Sequence, residues 1–168
     1  ANYNTVPAYV INRDVSNYSS TLVLNVGTND GIRENMTVIA DKGLVGHIVS
    51  VTENTCKVQV IIDSASTVSC SISTTNDSII CKGTLENNQI LRASYIPTGA
   101  ELIQGDSVYT SGIGGIYPKG IIIGTVKEIN KETNLNIPNI LTEIYNNKYN
   151  KTIWKKEEME NNLRKLIG

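Results

Sequence analysis

The chain has 168 residues, of which 40% are hydrophobic, enough for one large domain or two small ones around a real core. Only 5% are aromatic, with no Phe and one Trp, so that core must come from Ile, Val and Leu, which favours strands. A net charge of -1 and a pI near 5.9 leave no basic stripe for nucleic acid, and no apolar run reaches the roughly 18 residues of a membrane span.

The chain starts at Ala1 without an initiator Met or a signal peptide, as an excised fragment would, so a targeting or anchoring segment could be missing from it. Residues 1–7 read as a lead-in ending at Pro7. Short apolar runs then predict strands at Ala8–Ile11, Thr21–Val26, Thr37–Ala40, Leu44–Val51 and Lys57–Ile62. Thr67–Ser73, Ser78–Cys81, Gln89–Ile96, Ser107–Thr110 and Ile121–Ile129 continue the series. Asn29-Asp30-Gly31, Asp41-Lys42-Gly43, Thr75-Asn76-Asp77, Asn87-Asn88 and Gln104-Gly105-Asp106 punctuate them as turns. Such spacing suggests small barrels or sandwiches, and no long helical periodicity occurs before about residue 129.

A weak internal repeat runs through this series. Gly31 to Asn35 leads into Met36-Thr37-Val38-Ile39, and Gly43-Leu44-Val45-Gly46 opens a second strand at His47. Leu102 to Gly105 leads likewise into Asp106-Ser107-Val108-Tyr109, and Gly120-Ile121-Ile122-Ile123-Gly124 opens a strand at Thr125. Asn35 corresponds to Gly105, two residue types that accept a left-handed turn. Paired glycines around an apolar step bend a strand at a barrel corner. The expected fold is therefore mainly β, with two small related β-barrels. Residues 8–64 form the first, with a segment after residue 124 as a candidate to complete it, and residues 65–124 form the second.

After residue 130 the pattern changes. Residues 131–168 read as a polar linker and an amphipathic helical tail. Ile140, Leu141, Ile144, Tyr145 and Tyr149 recur at helical spacing, followed by Ile153, Trp154, Met159, Leu163, Leu166 and Ile167. Thr152 is placed as an N-cap, Gly168 as a stop, and Glu160 with Arg164 as an i,i+4 pair.

The residues that could carry chemistry have plain alternatives. Cys56, Cys70 and Cys81 contain no CxxC pair. Cys70 and Cys81 could face each other across a hairpin, but all three read more simply as small buried hydrophobes. His47, Asp63 and Ser111 stand in the order of a chymotrypsin-like triad, and two small barrels are similar to that architecture. Ser111 lacks the protease setting, however, and His47 is expected to point to solvent. Asp41, Glu53, Asp63, Asp77 and Asp106 read as turn-formers and solvated charges, without calcium-loop spacing. The Gly112–Gly120 loop lacks the Lys-Ser/Thr ending of a phosphate cradle. Its Ile113, Ile116 and Tyr117 form either an exposed contact patch or a plug under a barrel. No cofactor or metal is implied. An incompletely closed barrel would offer a strand edge to another chain.

The order of these segments resembles the rod shape-determining MreC family. The resemblance is carried by Val10 to Asp14, Ser16-Asn17-Tyr18, Thr21 to Asn25, Gly27, Asp30-Gly31-Ile32, Met36-Thr37-Val38, Gly43 to Gly46 and Ile61-Ile62-Asp63. Its most specific piece is Gly105 to Gly112, running through Gly114-Gly115-Ile116-Tyr117-Pro118-Lys119-Gly120-Ile121 to Gly124. Tyr18 and Asn35 are mild departures, where the family often has Trp and Gly. The tail departs more, since the family continues into further strands. The resemblance implies a non-enzymatic scaffold of the cell-wall elongation machinery, anchored in the cell membrane by a single N-terminal span with this domain on the extracytoplasmic side. It further implies self-association as dimer or filament, and contact with a penicillin-binding transpeptidase and the membrane partner MreD. A chymotrypsin-like serine hydrolase, active or degenerate, is the alternative, and a peptidoglycan-binding module a third reading.

Overall fold

The computed structural model describes residues 5–15, 19–73, 78–84, 90–94, 103–128, 133–136 and 152–155. Its strands are β1 (Thr5–Ala8), β2 (Val10–Val15), β3 (Ser20–Leu24), β4 (Thr37–Ala40), β5 (Gly43–Val51), β6 (Cys56–Val60), β7 (Thr67–Ile72), β8 (Ser78–Gly83), β9 (Ile90–Ser94), β10 (Ser107–Thr110), β11 (Ile122–Glu128), β12 (Thr133–Asn136) and β13 (Thr152–Lys155). Alternation explains most of them. In β3, Ser20, Leu22 and Leu24 point inward while Thr21 and Val23 do not, and Cys56, Val58 and Val60 do the same in β6.

All pairings are antiparallel, and the strands form two sheets. The first has the order β1-β13-β4-β5-β6-β3-β2, and the second is a closed barrel, β10-β11-β12-β9-β8-β7. β1 and β2 stand at opposite ends of the first order, yet Tyr9 alone separates them in the chain. One bent run, residues 5–15, therefore holds both ends of that sheet. Asn25 fixes the bend: the Tyr9 N–H donates to its Oδ1 at 2.7 Å, and its own N–H donates to the Tyr9 carbonyl at 3.1 Å.

The repeat is a structural one. Asn35 N–H donates to Ile48 O and Ile48 N–H to Met36 O, at 2.8 and 3.0 Å. Gly105 N–H donates to Val126 O and Val126 N–H to Asp106 O, at 2.8 and 2.9 Å. Val38 pairs with Gly46 and Val108 with Gly124, and a register shift follows Val38 and Val108 alike. Asn35 and Gly105 both have positive φ, 68° and 92°.

The tail is corrected at two places. Thr133–Asn136, expected as linker, is a strand between β11 and β9, and Thr152–Lys155, expected to start a helix, is a strand between β1 and β4. Thr, Ile and Trp are strong strand formers, and unpaired backbone groups on both neighbours override a short helical periodicity. The rest of the predicted helical stretch, and the turns at residues 75–77 and 87–88, lie outside the described residues.

One cluster of buried side chains runs through both barrels, from Leu22, Ile32 and Ile48 in the first to Ile72, Ile79 and Leu91 in the second. Each such fully buried side chain contributes about 1.5–3 kcal/mol of transfer free energy. The Ile/Val/Leu composition that stood in for missing aromatics supplies this core.

Candidate functional site: the seam between the barrels

Polar side chains of interest gather where the barrels meet, at two seams. The first is the chain connection itself, residues 61–66. Asp63 is buried there and its carboxylate accepts two backbone N–H groups, from Ser20 of β3 and Ala65, each at 2.8 Å. Ser66 N–H donates to Asp63 O, and Gly83 N–H of β8 to Ser66 O. A side chain at Gly83 would collide with the Ile62 and Asp63 carbonyls. Asp63 was expected to be a solvated turn former; it instead ties β3 to the inter-barrel junction. An acid directly after the buried pair Ile61-Ile62 was the available signal. The hydroxyl of Ser20, in the same region, is buried with no hydrogen-bond partner.

The second seam is made by residues 111–120, an arm joining β10 to β11. The equivalent connection in the first barrel, β4 to β5, is only Asp41-Lys42. Thr110 cinches the base of the arm: its hydroxyl donates to Pro118 O at 2.6 Å and accepts from Ile121 N–H at 2.8 Å. Gly112, Gly114, Gly115 and Gly120 turn the arm with φ between 80° and 93°. It reaches the first barrel at two points. Thr37 Oγ1 donates to Ile116 O at 3.4 Å, and His47 Nδ1 lies 2.9 Å from the Tyr117 hydroxyl, the rings edge to face at 5.7 Å. Nearby, Gly43 (φ 139°) begins β5 where any Cβ would strike the carbonyl of Ile122.

This corrects the placement of His47. It is half-covered by the arm rather than facing solvent, and burial lowers its pKa below the ordinary 6.5. Burial raises the Tyr117 pKa as well, so its phenol stays neutral. The loop residues divide: Tyr117 is buried, Ile116 is partly buried against the core, and Ile113 stands 63% exposed at the tip. Gly46 packs against β6 and Gly31 caps a 3-10 turn (Thr28–Asp30) with φ 79°. Gly105 lies in the turn before β10, and Gly124 pairs with Val108.

The residues ordered like a protease triad have separate partners. His47 bonds Tyr117, Asp63 bonds backbone at the junction, and Ser111 Oγ accepts Ile113 N–H at 3.2 Å. Cys70 and Cys81 are both buried, as the sequence suggested, and face each other as a disulfide pair between β7 and β8, Cα–Cα 6.6 Å. Cys56 is buried and free, and desolvation pushes its thiol up to about 12. Among the described residues, no three His, Cys, Asp or Glu side chains converge as metal ligands, and no helix is long and apolar enough to cross a membrane.

Fold and seam together define a tandem β-barrel module in which a short arm from one barrel is fastened to the other. The family profile described as "Rod shape-determining protein MreC, barrel core" matches residues 10–150. The chain belongs to the MreC family. The cell shape-determining protein MreC of Haemophilus influenzae is 28% identical over 126 residues, covering 75% of this chain and 36% of that protein. The chain spans about a third to a half of the length of the curated relatives it matches. A solved major periplasmic domain of the cell shape-determining filament MreC is 26% identical, with TM-score 0.73, covering 91% of this chain and 97% of that one. The same fold occurs in a complex between penicillin-binding protein PBP2 and MreC from Helicobacter pylori, with TM-score 0.66, 17% identity, and coverage of 93% and 99%.

Proposed function

We propose that this domain is a non-enzymatic scaffold of the bacterial cell-wall elongation machinery, maintaining rod shape by self-association and by docking peptidoglycan-synthesis proteins. The observation that carries the proposal is membership of a cell shape-determining family, matched over residues 10–150, which hold all but two of the strands described. The seams support it, because His47, Asp63 and Ser111 are each committed to holding barrel or arm in place. The complex of a relative with a penicillin-binding protein makes a transpeptidase the first partner to test, with MreD the second. The periplasmic origin of a solved relative supports placing this domain outside the cytoplasm; an N-terminal membrane anchor is part of the proposal.

Ile113 is the proposed contact point, an apolar side chain on a glycine-rich tip whose base is rigid. The experiment is sedimentation of the domain across a wide concentration range, alone and with a transpeptidase ectodomain. Association with both is expected, and Ile113→Glu should weaken the transpeptidase complex at least tenfold. A strict monomer that leaves the ectodomain unbound overturns the scaffold reading.

A further inference from the structure

The second seam is placed to respond to acid. In the second barrel the position equivalent to His47 is Thr125, which cannot titrate, so an ionisable group stands at the one copy that the arm covers. His47 is also the sole histidine of the chain. Across from it are Thr37 on β4 and Gln59 on β6, both uncharged, and the arm brings Tyr117. Lys57, two residues along β6, is exposed, as is Lys119 on the arm. Among the described residues of these elements, no carboxylate stands opposite the ring to offset a positive charge.

We propose that the His47–Tyr117 bond is an acid-sensitive latch that fixes the second barrel against the first, and that protonation of His47 releases the arm while both barrels keep their folds. A neutral imidazole can pair with the phenol in either tautomer. An imidazolium half-covered by the arm can still donate Nδ1–H to the phenol oxygen, but it is partly cut off from water and gains no counter-charge. Releasing the arm rehydrates it. The connection at residues 61–66 and the shared buried core then still hold the barrels together, with a wider range of relative motion once the arm is free.

The sign follows from linkage. The latched pKa lies below 6.5 and the unlatched value is near it. The latch is at full strength above 6.5 and weakens as pH falls from there through the latched midpoint. Across that window the latched-to-released ratio drops by up to about tenfold per pH unit.

Two measurements test the proposal. The single histidine Hε1 resonance should titrate with a midpoint below 6.5; a midpoint at or above 6.5 overturns it. Spin labels at Glu53→Cys and Lys82→Cys, both exposed and one on each barrel, should give a narrow distance distribution at pH 7.5 and a broadened one at pH 5.0. In His47→Gln the distributions at the two pH values should coincide, whatever their width, and Tyr117→Phe should broaden the distribution already at pH 7.5. A wild-type distribution that does not change at pH 5.0, or a pH response that survives His47→Gln, overturns the latch.

Discussion

At residue scale, glycines in the two repeat copies are held for different reasons. Gly46 has no room: a Cβ there would meet the Gln59 carbonyl of the neighbouring strand. Gly46→Ala must push β5 and β6 apart and should cost about 1–3 kcal/mol. Gly105 has open space but a φ of 92°. Gly105→Ala should cost about 1 kcal/mol through the backbone alone. Gly105→Asn should cost less, because Asn35 already holds the equivalent place at φ 68°. Urea unfolding of the three variants gives the order directly, and a Gly105→Asn variant as damaged as Gly46→Ala would refute it. The left-handed turns were legible from residue type. The packing at Gly46 was not, since sequence shows a glycine and not the carbonyl facing it. His47 misled for a related reason: alternation told which side of β5 it took, but that outer side is covered by an arm from the other barrel.

At the scale of elements, both sheets use one strand order. Counting the bent run β1–β2 as one strand, the first reads β13, β4, β5, β6, β3, β1–β2. The second reads β7, β10, β11, β12, β9, β8, matching place for place. The counterpart of β7 is β13, moved to the far end of the described chain. Ile153→Pro removes a backbone donor from a strand flanked on both sides and should cost about 2 kcal/mol or more. Amide exchange should speed up in β1 and β4 while β8 and β9 stay protected. Unchanged exchange in β1 and β4 would refute the pairing. Strands from β3 to β11 were legible because each alternates or runs apolar between turn formers. β12 and β13 were not: Thr-Asn-Leu-Asn carries no apolar alternation, and Thr-Ile-Trp-Lys sits in a stretch with helical spacing. Their state is set by the gaps they fill.

At the scale of the whole molecule, the polar fastening between the barrels rests on few groups, added to the apolar core they share. Asp63 is the polar centre of the covalent joint. Asp63→Ala would strand the buried N–H of Ser20 and take the acceptor from the less buried N–H of Ala65, and should cost about 2 kcal/mol. Asp63→Asn, which keeps one carbonyl acceptor, should fall between it and wild type in chemical denaturation. A neutral Asp63→Ala would show that the carboxylate is dispensable. Sequence gave notice of two copies and of the family, but not of how the copies are fastened. Fastening depends on residues such as Asp63, Thr110 and Tyr117, whose partners lie on other segments.

The location of β13 has a consequence for the order of assembly. The second barrel draws on one contiguous stretch, residues 67–136, so it has every strand before β13 is made. The first sheet must wait until Lys155 can meet Thr5, with the whole second barrel lying between them in the chain. The half written first is thus the half finished last, and until then β1 and β4 present open borders to whatever strand arrives.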